Sequence, residues 1–302
     1  MKPTAGEQSS ATDGGAAANW TPAPPGIATT SSRTVEIKPA RGLRANAQAS
    51  FAQLQAHLRG EAHISIAIAP LGAGPTQILG GNPAMQGMST TKILILSALL
   101  QNRGGASRLT ASQRALANSA ITESDNQSIL DLFSALESDQ GGLLGASDYA
   151  TNVLRQAGDR TTTVATAPPP PGYATTFGQT LWRPAAEVKF FRSLALGCLL
   201  PASDTAYVLA LMSNIEPSER WGLGSAGFTR VAFKGGWGPE PGGAYGVRQT
   251  GIIGDRTRGV VVAMTADPVT TFSTGTAVLT DMANWLRREV QLTRRPEGTC
   301  AA

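Results

Sequence analysis

Strand-forming patterns occur at both ends of the central part of this chain, and a long run of helical patterns separates them. Residues 63–68 alternate apolar and polar side chains with a period of two, which predicts a strand, and residues 76–79 fit its hairpin partner. Further strands are predicted at 229–234, 244–253 and 258–265. Helices are predicted at 42–58, 89–101, 111–136 in two pieces, 146–156, 184–196, 203–213 and 274–291. This order predicts an α+β fold whose antiparallel sheet is assembled from both chain ends.

The composition divides the 302 residues into one domain and two tails. Residues 1–38 are rich in Gly, Ala, Pro, Ser and Thr, so we predict a disordered N-terminal tail. Residues 39–295 are predicted to form the globular domain, and residues 296–302 a flexible C-terminal tail. No apolar stretch follows Lys2, so no signal peptide is visible, and no apolar run reaches the length of a membrane span.

Charge and cysteine content exclude several function classes. The net charge of +4 is small and spread thinly, which favours a slightly basic solvated surface over nucleic-acid binding. Two cysteines and two histidines exclude a four-thiolate zinc site and most His-rich metal sites. Pairing of Cys198 with Cys300 is left open, because it requires an oxidising compartment.

Three short motifs carry the candidate chemistry. An S-x-x-K motif, Ser89 to Lys92, opens an apolar helix; Ser124-Asp125-Asn126 opens another; and Lys234-Gly235-Gly236 ends a strand. Residues three apart share one face of a helix, so Lys92 lies near Ser89. A lysine can activate a serine as a base only if its pKa falls. Taken singly, the motifs also fit a helix N-cap, a capping pair and a strand-end surface charge.

The motifs and their order resemble the penicillin-recognising serine hydrolases, class A β-lactamases in particular. Residues 120–126 and 196–203 resemble the corresponding stretches of that family, and the resemblance covers about residues 42–291. It implies a β-lactamase/transpeptidase-like fold, with an antiparallel sheet flanked by helices and a helical lobe. The lobe is expected to be trimmed, because the interval from Ser89 to Ser124 is shorter than in typical class A enzymes.

The resemblance also assigns roles to individual residues. Ser89 is the implied nucleophile, and a second cation, Lys234, lowers the pKa of the base Lys92. Ser124 passes a proton to the leaving nitrogen, and the N–H groups of Ser89 and Trp237 form the oxyanion hole. Asp125 is expected to be structural. The implied catalytic residues are Ser89, Lys92, Ser124 and Lys234, and the implied substrate-binding residues are Asn126, Gly235, Gly236, Trp237 and Arg248.

The sequence departs from the family at two further points. No Glu lies between Gly158 and Pro184, where class A enzymes carry the Glu that activates the deacylating water, so the acyl-enzyme should persist. Gly235 replaces a Thr or Ser whose hydroxyl would hold a substrate carboxylate. Arg248 is the candidate replacement, with a solvated strand arginine as the alternative. For Glu187 a surface role is favoured over that of a relocated deacylation base.

The sequence therefore predicts a serine hydrolase that forms an acyl-enzyme with β-lactam or D-Ala-type amides and turns over slowly. By resemblance it needs no metal or organic cofactor, acts on a β-lactam or peptidoglycan-like small substrate and works outside the cytoplasmic membrane. The small net charge argues against a nucleic-acid partner. A cytoplasmic location is the alternative. A non-catalytic module that binds cell-wall peptide or a protein is the alternative function. A carboxypeptidase or esterase on the same fold uses the same nucleophile.

Overall fold

A computed structural model describes residues 42–239 and 244–300. The predicted N-terminal tail, residues 1–38, lies outside the described residues. The strands are β1 (His63–Pro70), β2 (Gln77–Leu79), β3 (Met85–Gln86), β4 (Leu181–Trp182), β5 (Val231–Pro239), β6 (Tyr245–Ile253) and β7 (Val260–Val269). The helices are α1 (Ala47–Leu58), α2 (Thr91–Arg103), α3 (Ala111–Thr122), α4 (Asn126–Gln140), α5 (Leu143–Gln156), α6 (Pro184–Ala195), α7 (Ala202–Ser213) and α8 (Phe272–Glu289).

Five strands form one antiparallel sheet in the order β2-β1-β7-β6-β5. The β-branched run of β7 is fully buried at the centre of this sheet, between β1 and β6. Strands from the two chain ends therefore meet in one sheet, which confirms the predicted α+β class. Strand β5 lies at an edge, so alternate backbone groups of β5 point away from β6.

The helical region is built around α2, which packs against α3, α4 and α5. Helix α2 carries an apolar run, residues 93–100, that is buried throughout, so α2 crosses the core. The predicted helical stretch 111–136 is two helices, α3 and α4, as expected, and the short linker between them contains Ser124. No described helix is both long enough and apolar enough to cross a membrane.

Residues 296–300 are attached to the domain, so the predicted flexible C-terminal tail is wrong for these residues. Glu297 forms a β-bridge with Gly72 and an ion pair with Arg256 at 3.3 Å. Cys300 forms a disulfide with Cys198, across a sequence separation of 102 residues. The sequence pattern did not reveal these contacts because each one joins residues far apart in the chain.

Two short strands, β3 and β4, form a second small sheet that the sequence did not predict. Strand β3 pairs with β4 over only two residues, Met85 with Trp182 and Gln86 with Leu181. Two residues are too few to show an alternating pattern. This small sheet joins the segment before Ser89 to the segment before α6.

Candidate active site

Ser89 lies in a tightly fixed turn at the start of α2. A 3-10 turn, Met88–Thr90, precedes the helix, and Met88 has a left-handed φ of 50°, which is strained for a residue with a side chain. The turn is held by the N–H of Gly87, which donates to the carbonyl of Thr180 at 2.7 Å, and by the Thr90 hydroxyl, which donates to the Gly87 carbonyl at 2.7 Å. Ser89 is thereby held, partly exposed, near the positive end of the α2 dipole.

Lys92 lies one turn further along and is almost completely buried, with 1% of its surface exposed. Its Nζ donates to the main-chain carbonyls of Ser124 and Asp125, the latter at 3.2 Å. Burial, and secondarily the charge of Lys234, lower the pKa of Lys92 to about 7. Near neutral pH, a large fraction of Lys92 is therefore unprotonated and able to accept a proton.

Ser124 occupies the linker between α3 and α4 in a left-handed conformation, with a φ of 62°. The next residue, Asp125, caps α4 by accepting a hydrogen bond from the N–H of Ser128 at 2.7 Å, as expected for a structural residue. The Ser124 hydroxyl is left to face the sheet, where it accepts a hydrogen bond from Nζ of Lys234 at 2.8 Å.

Lys234 reaches the same serine from β5. It is 1% exposed, and its Nζ donates to the Ser124 hydroxyl and to the Gly235 carbonyl at 3.1 Å. Burial lowers the pKa of Lys234 to about 8, against a smaller opposing effect of the Glu219 charge. Two buried lysines with lowered pKa values thus contact one serine, Ser124.

The two glycines after Lys234 lie in close contact with other parts of the site. A Cβ at Gly236 would lie 3.0 Å from the main-chain nitrogen of Ser89, so β5 runs directly beside the nucleophile candidate. A Cβ at Gly235 would lie 2.5 Å from the indole ring of Trp221. The Trp221 ring therefore fills the space that a threonine side chain at position 235 would need.

An open cavity of about 220 Å³ lies at the junction of these elements. Ser89, Ser124, Asn126 and Trp237 all line it, so the structure brings these four predicted residues together. The Trp237 side chain is 44% exposed and packs on Phe272, with 4.8 Å between ring centroids. In the described part of the chain, the Ser89 hydroxyl has no hydrogen-bond partner and is open to the cavity.

The structure contradicts the predicted role of Arg248 in binding a substrate carboxylate. Arg248 is fully buried and does not line the cavity. Its guanidinium forms an ion pair with Glu187, and it donates to the carbonyls of Met85 and Gln86 and of Trp182. Arg248 thus links β6 to the small β3–β4 sheet through hydrogen bonds to its main-chain carbonyls.

The surface role predicted for Glu187 is also wrong, because Glu187 is completely buried on α6. Its carboxylate faces Arg248, not solvent or the cavity. A single acidic residue in a helix pattern gives no sign of a buried partner 61 residues away. The pair became visible only through the tertiary packing of α6 against the sheet.

The segment between α5 and α6 contributes no carboxylate to the cavity. Its one acid, Asp159, is fully buried and accepts hydrogen bonds from the N–H of Thr161 at 3.0 Å and from Nε1 of Trp182 at 3.2 Å. The cavity side of this segment presents Thr175 and Gln179 instead. Neither side chain is a general base at neutral pH.

The residues that line the cavity and were not assigned to the site from the sequence include Glu123, Tyr173 and Glu219. Glu123 directly precedes the second motif, and that position was the available signal. The Tyr173 hydroxyl donates to the Pro239 carbonyl, which joins the α5–α6 segment to the end of β5. Glu219 belongs to no motif, and only the path of the chain before β5 brings it to the site.

The whole fold is similar to solved class A β-lactamase structures. The chromosome-encoded β-lactamase of Vibrio parahaemolyticus is 14% identical, with a TM-score of 0.60 over 80% of this chain and 98% of that one. The class A β-lactamase of Mycobacterium abscessus is 18% identical, with a TM-score of 0.61 over 80% and 98% of the two chains. A β-lactamase from Xanthomonas campestris pv. campestris is 20% identical, with a TM-score of 0.61 over 80% and 96%.

No protein-family model and no curated protein matches the sequence of this chain. The similarity therefore rests on structure, and it shows that the chain has the class A β-lactamase fold.

Proposed function

We propose that this protein is an active-site serine hydrolase in which Ser89 forms an acyl-enzyme with β-lactam or D-Ala-type amide substrates. The observation that carries the proposal is the contact of two buried lysines, Lys92 and Lys234, with Ser124 beside the Ser89 cavity. A buried lysine with a lowered pKa is costly to a fold and is common where a base is needed.

Acylation begins when unprotonated Lys92 accepts the proton of the Ser89 hydroxyl. The Ser89 Oγ attacks the carbonyl carbon, and the N–H groups of Ser89 and Trp237 stabilise the developing oxyanion. The intermediate collapses by breaking the bond to the leaving nitrogen. That nitrogen takes the proton of the Ser124 hydroxyl, which Lys234 holds in place. Ser124 regains a proton from protonated Lys92, so both groups return to their starting states. Asn126 and the backbone beside Gly235 and Gly236 hold the acyl side.

Deacylation is slow in this account because water lacks a base at the usual position. Thr175 and Gln179 face the cavity where the α5–α6 segment passes it, and Asp159 is occupied by structural hydrogen bonds. The acyl-enzyme therefore accumulates, and steady-state turnover is weak.

A chromogenic cephalosporin at saturating concentration tests this proposal. We expect a burst of product equal to the enzyme concentration, followed by a much slower steady rate. The Ser89→Ala variant should show neither phase. Fast turnover without a burst would contradict slow deacylation, and activity retained in Ser89→Ala would contradict the nucleophile.

One observation favours a second candidate, a non-catalytic module that binds cell-wall peptide or a protein. The Lys92 amino group donates to two main-chain carbonyls, those of Ser124 and Asp125, and not to the Ser89 hydroxyl. A relic site could retain this arrangement without turnover. Binding of a peptide with no covalent adduct on Ser89 would support this candidate. Substrate profiling separates a carboxypeptidase or esterase from a β-lactamase, because all three use the same nucleophile.

We further propose that the protein works outside the cytoplasmic membrane. The disulfide between Cys198 and Cys300 supports this location, because such bonds persist in oxidising compartments.

A further inference from the structure

The surface that a substrate touches in this cavity is acidic. Glu123 and Glu219 line the cavity, together with Tyr173, and no arginine, lysine or histidine does so in the described part of the chain. A substrate entering the cavity therefore meets carboxylates before it meets any cation.

The cations that the structure describes near the site are engaged by other groups of the protein. Lys92 and Lys234 are 1% exposed and donate to groups of the protein itself. Arg248 is neutralised by Glu187. The Arg220 guanidinium lies over the Phe233 ring, 5.8 Å from its centroid.

Position 235 also offers nothing to hold an anion. Glycine there supplies no hydroxyl, and the Trp221 ring occupies the space where a side chain would lie. The two features that would favour a substrate carboxylate, a hydroxyl at position 235 and a free arginine on β6, are therefore both absent from the described site.

The two carboxylates line the same cavity as Ser124. Glu123 adjoins Ser124, the proton donor to the leaving group in the proposed function. The segment that carries Glu219 is joined to the end of α3 by the Glu216 N–H, which donates to the Thr122 carbonyl at 3.0 Å. The Glu219 charge also raises the pKa of both Lys92 and Lys234, against the larger lowering effect of burial.

We propose that this cleft prefers acyl donors whose leaving side is positively charged over neutral donors, and disfavours a carboxylate there, with Glu219 and Glu123 as the specificity-determining residues. This inference rests on the proposed acylation of Ser89 and narrows its substrate class. The preferred donor carries an ammonium or similar cation on the leaving side, where the usual β-lactams carry an anion.

Three derivatives of benzylpenicillin test this preference with one acyl group and one scissile bond. They are the free carboxylate, the neutral 3,3-dimethylbutyl ester, and the choline ester, which has the same shape as the neutral ester and one positive charge. Acylation of Ser89 is followed by rapid quenching and intact-protein mass spectrometry. We expect the choline ester to acylate about tenfold faster than the neutral ester, and the free carboxylate to be the slowest.

The ratio of choline-ester to neutral-ester rates is compared among variants, because this ratio cancels changes in the intrinsic reactivity of Ser89. Glu219→Gln and Glu123→Gln should each bring the ratio towards one. Glu216→Gln is the matched control, since Glu216 is exposed on the same segment and does not line the cavity. Its ratio should equal that of the native protein.

Added salt provides a second test that needs no variant. The ratio in the native protein should fall as NaCl screens the carboxylates. Fastest acylation by the free carboxylate, or a ratio unaffected by both substitutions and by salt, would overturn this inference and leave the proposed function standing. Absence of an adduct with all three derivatives would overturn the proposed function, and the inference with it.

Discussion

Nζ of Lys234 lies 2.8 Å from Oγ of Ser124, while Nζ of Lys92 contacts the main-chain carbonyl of the same residue. The two lysines therefore contact different groups of Ser124, its side-chain hydroxyl and its main-chain carbonyl. Lys234 orients the hydroxyl, and Lys92 is held near the linker that fixes it. Because the pKa of Lys92 is lowered to about 7 and that of Lys234 to about 8, the two groups titrate in neighbouring ranges.

The acylation rate should follow a narrow bell-shaped pH profile. Lys92 must lose its proton to act as a base, so the rate rises as pH passes about 7. Lys234 must keep its proton to orient Ser124, so the rate falls above about 8. The measurement is the acylation rate constant with a neutral ester, whose charge does not change with pH. A single rise centred near the ordinary lysine pKa would contradict this assignment.

Glu219→Gln should move both limbs of this profile to lower pH. The Glu219 carboxylate raises the pKa of both lysines, so its removal lowers both pKa values further. The same rate measurement over the same pH range checks this expectation. A profile that keeps both midpoints in the variant would mean that Glu219 does not act on the lysines.

Removal of Lys92, Ser124 or Lys234 should each reduce acylation of Ser89 by about 10²–10⁴-fold, the usual contribution of a positioned proton-transfer group. The variants are Lys92→Ala, Ser124→Ala and Lys234→Ala. Lys189→Ala is the control, since Lys189 is an exposed lysine on α6. Single-turnover rates that stay within a few-fold of the native value would contradict the proposed roles.

Part of this site could be predicted from the sequence because it is local. Ser89 and Lys92 lie on one helical turn, and Ser124 to Asn126 open a helix, so spacing alone indicates their relationship. Glu219 and the burial of Arg248 depend on contacts between segments far apart in the chain. Position 235 shows both the local and the long-range case. The glycine is visible in the sequence, but only the structure reveals the Trp221 ring that leaves no room for a side chain there.

The Arg248–Glu187 pair should behave as a structural pair and not as a substrate-binding site. Arg248→Met or Glu187→Met alone should lower the free energy of unfolding by about 3–5 kcal/mol, because each leaves an unpaired buried charge. The double variant should lose less than the sum of the two single losses, although the carbonyls of Met85, Gln86 and Trp182 stay without their Arg248 donor in it. Denaturant unfolding of the four proteins gives the coupling energy. Additive losses in the double variant would contradict direct pairing.

Loss of the disulfide should destabilise the domain without changing the site. The bond closes a long loop between Cys198 and Cys300, with a sequence separation of 102 residues, so its removal by Cys198→Ser with Cys300→Ser should cost about 2–5 kcal/mol. Denaturant unfolding measures the loss, and reduced native protein is the control, which should match the variant. Equal stability of oxidised and reduced protein would show that the bond does not constrain the chain.

Intact-protein mass spectrometry after mixing with a benzylpenicillin ester, sampled from seconds to hours and followed by peptide mapping, tests most directly whether Ser89 is acylated. We expect one adduct per chain, located on Ser89, persistent over many minutes and absent from Ser89→Ala. An adduct on another residue, or none at any time while the ester remains intact, would contradict this expectation.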